Sequence, residues 1–147
     1  MPKNGPIIVI EDDADDQELL REIFNELKIP NLLRFFDSCI KAFDYLITTM
    51  ERPLIIISDI NLPGMDGIEF REKINSHSAL KQKSIPFIFL STTHDQTVIS
   101  KAYELLVQGF FVKPTSLTEL KEMIRTIISY WQICCHPSFA GLHFFKQ

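Results

Sequence analysis

The sequence predicts a doubly wound α/β domain built on a five-stranded parallel sheet. Five short apolar runs recur along its 147 residues, each rich in β-branched or aromatic side chains. The runs are nearly continuous rather than alternating, as expected of strands buried on both faces of a parallel sheet. Between them lie segments long enough for a crossover helix, and strand and helix alternate five times.

The first strand is expected over residues 6–10 and its helix over 15–27, where Leu19, Leu20, Ile23, Phe24 and Leu27 repeat at helical spacing. Residues 32–36 form the second strand. The helix over 39–50 has Ser38 as its candidate N-cap and Ile40, Phe43, Leu46 and Ile47 on one stripe. A third strand, 54–58, leads to a helix over 66–76 and then to a polar loop, 78–84. Strand 86–90 precedes a helix over 96–107 whose apolar pattern is less regular. The last strand, 109–112, feeds a helix over 117–131. There Ser116 and Glu119 have the capping-box spacing, and Leu120, Ile124, Ile127, Ile128 and Trp131 form the stripe. No repeat or low-complexity segment interrupts the pattern, so residues 6–131 read as one domain.

Residues 132–147 read as an apolar tail. Cys134, Cys135, His136 and Pro137 open it, and Phe139, Leu142, Phe144 and Phe145 follow. Adjacent cysteines without a fourth ligand argue against a zinc site. The aromatic residues suggest that the tail folds back, docks on a partner or pairs with a second copy in a homodimer.

Composition excludes several classes of function. The chain is 46% hydrophobic and 23% charged with a net charge of −4, and no dense Lys/Arg cluster marks a nucleic-acid footprint. Its three cysteines form no disulfide framework and read as free thiols. No apolar signal core opens the chain, and no run approaches the ~18 residues of a membrane span. The expected setting is cytoplasmic, without direct nucleic-acid or membrane partners.

The chemistry gathers at the strand ends. Glu11, Asp12 and Asp13 follow the first strand, Asp59 the third, Ser91, Thr92 and Thr93 the fourth, and Lys113 the fifth. Open α/β sheets bind ligands outside these carboxyl ends, beside the topological switch point. Crowded carboxylates raise one another's pKa unless a cation neutralises them. Mg²⁺ fits that need, because it takes hard oxygen ligands and uses few carboxylates. Asp59 could then stay ionised and act as a nucleophile, giving an aspartyl-phosphate. A lysine and a hydroxyl opposite the metal complete a minimal phosphoryl site.

Each residue also has a plainer reading. Asp12 or Asp13 could cap the first helix, Asp66-Gly67 could be the turn into the third, and Ser91 to Thr93 could cap the fourth. Lys113 could be a solvated loop lysine and Phe110 a core aromatic. Convergence on neighbouring strand ends is what favours a site.

These residues resemble the receiver domain of bacterial two-component response regulators. The resemblance rests on Ile7-Ile8-Val9-Ile10-Glu11-Asp12-Asp13, on Asp59-Ile60-Asn61-Leu62-Pro63-Gly64-Met65-Asp66-Gly67, on Phe89-Leu90-Ser91-Thr92-Thr93 and on Phe110-Phe111-Val112-Lys113-Pro114. It implies a flavodoxin-like strand order, 2-1-3-4-5, with helices on both faces. It implies that Asp59 accepts phosphoryl from a histidine kinase or a histidine phosphotransfer protein. Mg²⁺ would be held by Asp12, Asp59 and the backbone carbonyl of Asn61, with Glu11 acting through water and Asp13 a bystander.

Ser91 would bond the phosphate and Lys113 would pair with it, next to a cis bond to Pro114. Thr92 would border the phosphate, Asn61 would tune hydrolysis, and Phe110 would be a switch aromatic without a hydroxyl. The expected protein is a stand-alone receiver without an output domain, a switch rather than an enzyme beyond self-catalysed phosphotransfer and slow autodephosphorylation. Its output would reach a downstream protein through the face of 96–107, the fifth strand and 117–131. Two rivals are an aspartate-nucleophile phosphohydrolase, which would want an acid where Asn61 stands, and a phosphorylation-independent binding module on the same fold.

Overall fold

In the computed structural model residues 2–137 are described. Five strands, β1 (Ile7–Ile10), β2 (Leu33–Phe36), β3 (Ile55–Ser58), β4 (Phe87–Ser91) and β5 (Gly109–Val112), pair in parallel in the order β2-β1-β3-β4-β5. Helices α1 (Ala14–Glu26), α2 (Cys39–Thr48), α3 (Gly67–Ser76), α4 (Ser78–Lys83), α5 (Gln96–Glu104) and α6 (Leu117–Ile133) connect and cover them. The fold is the expected one.

Side chains alternate across each strand, so one apolar run serves two layers. Ile8, Ile10 and Ile56 point to the face covered by Phe43 and Leu46 of α2, Phe70 of α3 and Leu80 of α4. Ile7, Val9, Ile55 and Ile57 point to the other face. There they meet Leu20, Ile23 and Phe24 of α1 and Leu120, Ile124, Ile127 and Ile128 of α6. Each such buried side chain contributes roughly 1.5–3 kcal/mol over leaving it in water. That is why a strand only four residues long can be specified so firmly.

Caps fix the helix starts. Ser38 Oγ accepts the Lys41 N–H at 3.2 Å and Ser116 Oγ accepts the Glu119 N–H at 3.3 Å. The reciprocal capping box closes elsewhere, where Asp66 Oδ1 accepts from Glu69 N–H at 2.9 Å and Glu69 Oε1 accepts from Asp66 N–H at 3.3 Å. Asp66 is therefore a helix cap.

Five expectations need correction. Helix α2 stops at Thr48 rather than reaching 50, because Thr49 turns to extended backbone at ψ 146. The polar loop over 78–84 is largely the short helix α4, started by His77 Nδ1 accepting the Leu80 N–H at 3.3 Å and held by Leu80, which is buried. Helix α5 stops at Glu104 rather than reaching 107, because Leu106 turns into the left-handed region at φ 63. Helix α6 runs two residues past Trp131 to Ile133. The Lys113–Pro114 bond is trans, as no cis peptide occurs among the described residues. Trans is the lower-energy isomer even before proline, and Lys113 N–H is satisfied by the Ser91 carbonyl at 2.8 Å.

The amino ends of the strands are tied together by neutral groups. Asn31 Nδ2 donates to the carbonyls of Lys3 at 2.8 Å and Gly5 at 2.7 Å. Gln132 Nε2 donates to Asn31 Oδ1 at 2.8 Å and to the Lys3 carbonyl at 3.2 Å. His136 is buried, with Nε2 2.8 Å from the Leu54 carbonyl. The start of the tail is thus drawn under the sheet, while Phe139, Leu142, Phe144 and Phe145 lie outside the described residues. Among the described residues no helix is long and apolar enough to cross a membrane.

Candidate functional site

Strands β1 and β3 lie side by side at the switch point of this sheet, and their carboxyl ends deliver the acids. Asp59 N–H donates to the Ile10 carbonyl at 3.1 Å, which carries the parallel pairing one residue past β3 and sets Asp59 beside Glu11. One carboxylate oxygen from each of Glu11, Asp12 and Asp59 lies within 4.8 Å of the others. Glu11 is buried, Asp12 exposed and Asp59 half-buried. Hard oxygens at this spacing suit a small divalent metal ion.

The backbone under Asp59 leaves no spare room. A Cβ on Gly67, the first residue of α3, would lie 2.4 Å from the Asp59 carbonyl oxygen and 2.8 Å from Phe89 Cε1. Gly67 N–H instead donates to the Ile60 carbonyl at 2.9 Å, pressing α3 against the acceptor loop. Here glycine is required by close approach.

Lys113 enters from the end of β5. Its Nζ lies 2.7 Å from Glu11 Oε1 and 3.7 Å from Asp16 Oδ2. Burial pushes the Glu11 carboxyl above its ordinary pKa, against the pull of Lys113. Burial alone would lower Lys113. The hydrogen bond to Glu11 and the charges of Glu11, Asp59 and Asp16 outweigh it and hold the ammonium above its usual range. Lys113 is therefore charged.

The remaining predicted residues spread around this centre. Ser91, the last residue of β4, is fully buried, and its Oγ accepts the Thr93 N–H at 3.3 Å. Thr92 is exposed. Asn61 is exposed, and its Nδ2 donates to Thr93 Oγ1 at 3.0 Å. Phe110 is half-buried against the core, its ring 5.9 Å from that of Phe89. Asp13 stands apart from the three acids. Its Oδ1 accepts from the N–H groups of Asp15 at 2.8 Å and Asp16 at 3.0 Å, capping α1.

Two residues at the site went unmarked in the sequence. Asp16 reaches Lys113, and Gln17 Nε2 donates to the Glu11 carbonyl at 2.5 Å. The available signal was the cap at Asp13, which puts Asp16 at the third helical position, over the end of β1. Among the described residues the cysteines join no metal cluster, and His136 is engaged with Leu54.

A 2-1-3-4-5 sheet with convergent carboxylates and a lysine at its switch point defines an open α/β domain with an acid–lysine ligand crevice. The chain belongs to the response regulator receiver domain family, whose model matches residues 7–125. It is 31% identical over 130 residues to response regulator Rcp1 of Synechocystis, covering 85% of this chain and 87% of that protein. It is 26% identical over 127 residues to sporulation initiation phosphotransferase F of Bacillus subtilis, covering 83% and 92%. Among solved structures, the phosphorylated cyanobacterial phytochrome response regulator RcpA superposes with a TM-score of 0.83 at 28% identity, covering 92% of this chain and 99% of that one. The Mn²⁺-bound form of Rcp1 gives 0.78 at 29% identity, covering 89% and 96%.

Proposed function

We propose that this receiver is a phosphoacceptor switch in which Asp59 takes phosphoryl from a phosphohistidine on a histidine kinase or a histidine phosphotransfer protein. The observation that carries the reading is the meeting of Glu11, Asp12 and Asp59 with Lys113 at one strand-end crevice. Asp12, Asp59 and the Asn61 carbonyl would hold Mg²⁺, with Glu11 acting through water. When bound, the ion neutralises charge on the cluster and on a transferring phosphoryl group. The Asp59 carboxylate is the nucleophile, Lys113 meets the phosphoryl charge, and Ser91 supplies a hydroxyl beside it with Thr92 at the rim.

Asn61 offers an amide where a phosphohydrolase would want a general acid. That supports storage of the phosphoryl group over turnover. Residues 6–131 act as the switching unit, and output passes to a downstream protein over α5, β5 and α6. On that face Tyr103, Val112 and Leu117 are exposed. Phe110 responds to Ser91 through packing alone.

The test is acid-stable labelling by a small phosphodonor with Mg²⁺. Asp59→Asn is expected to abolish the label and Asp13→Asn to keep most of it, since Asp13 caps α1. Equal loss from both would sink the assignment of the acids.

A further inference from the structure

Asp16 faces Lys113 from the first turn of α1, a contact for which the acceptor reading has no role. The position is built. Asp13 caps the helix and fixes the Asp16 N–H at 3.0 Å. Gln17, next along the same turn, ties that turn to the end of β1 through the Glu11 carbonyl at 2.5 Å. Asp16 Oδ2 then lies 3.7 Å from Lys113 Nζ, with Glu11 Oε1 on the same ammonium at 2.7 Å. Lys113 is only 15% exposed, while Asp16 is 48% exposed.

We infer that Asp16 is a positioning residue: it holds Lys113 on the α1 side of the crevice and competes for it with a phosphoryl group on Asp59. The inference rests on the acceptor reading. Glu11 belongs to the three-acid cluster, so a divalent ion there shares its charge and loosens its hold on Lys113. Asp16 stands outside the cluster and keeps its charge for the lysine. A half-exposed carboxylate acts through a screened attraction, so its effect is a few-fold adjustment of the switch rather than a block.

Beryllofluoride, a tetrahedral stand-in for phosphoryl, tests this in the full chain at saturating Mg²⁺, with affinity followed by amide NMR shifts. Asp16→Asn is expected to tighten binding about two- to fivefold, and Asp16→Glu to restore the original affinity. In a Lys113→Ala background the Asp16→Asn effect is expected to vanish, because a double-mutant cycle isolates the pair. The same tightening without Lys113 would mark a general field of the acid and overturn the inference, as would no change in the single variant. Asp59→Asn serves as control. If the unaltered chain binds no beryllofluoride, the acceptor reading itself falls and this inference falls with it. Binding that Asp59→Asn abolishes but Asp16→Asn leaves unchanged removes only the role of Asp16.

Discussion

The two ends of the sheet solve opposite problems with similar residue types. At the amino end, Asn31, Gln132 and His136 satisfy carbonyls of Lys3, Gly5 and Leu54 with neutral donors. At the carboxyl end, three carboxylates crowd together and one of them is buried against a lysine. The amino end spends its polar groups on holding distant segments together. The carboxyl end keeps unneutralised charge, which costs stability until a ligand offsets it. Stability and function are thus divided between opposite edges of one sheet.

That contrast can be broken most strongly with metal. Mg²⁺ at about 100 times its dissociation constant is expected to stabilise the fold by about 2.7 kcal/mol, read as a rise in urea midpoint. Asp59→Asn should lose most of that gain while remaining at least as stable without metal. A metal-free variant markedly weaker than the parent would mean that the acids are structural.

Next comes the amino end. Asn31→Ala leaves the Lys3 and Gly5 carbonyls and the Gln132 amide short of a partner, and is expected to cost about 2 kcal/mol. Phosphodonor labelling of the folded protein should be unchanged, and a loss of labelling at full folding would show that the ends are coupled.

The smallest effect is pH-dependent. Burial pushes His136 below its ordinary pKa, against the upward pull of the Leu54 carbonyl. Above the unfolded value of 6.5 both states are neutral and the contribution is complete. As pH falls below it the unfolded chain binds a proton that the folded chain refuses. Stability then drops by at most about 1.4 kcal/mol per pH unit until the folded pKa is reached. Urea melts at pH 7.5 and 5.5 should show this loss in the parent and a smaller one in His136→Asn.

The contrast also explains what could be read from sequence. Strands β1 and β3 were legible because residues 7–10 and 54–57 are unbroken apolar runs, and the site was legible because strand ends are fixed by those runs. Helix α4 was not, since Leu80 is its single buried residue and no periodicity can form over six positions. The latch between Asn31 and Gln132 joins residues 101 apart, and neither carries a local pattern. Asp16 was hidden for a related reason. Its partner, Lys113, follows the end of β5, so only the folded sheet reveals the pair.

The tight seat of Gly67 has a mechanical consequence. The Asp59 carbonyl and the ring of Phe89 both border the space that a Gly67 Cβ would fill, and Phe89 rests against Phe110. A Gly67→Ala side chain would therefore have to displace one or the other, because close-packed interiors pass on displacement rather than absorb it. A displaced Phe89 ring would in turn press on Phe110 of β5, whose ring lies 5.9 Å away.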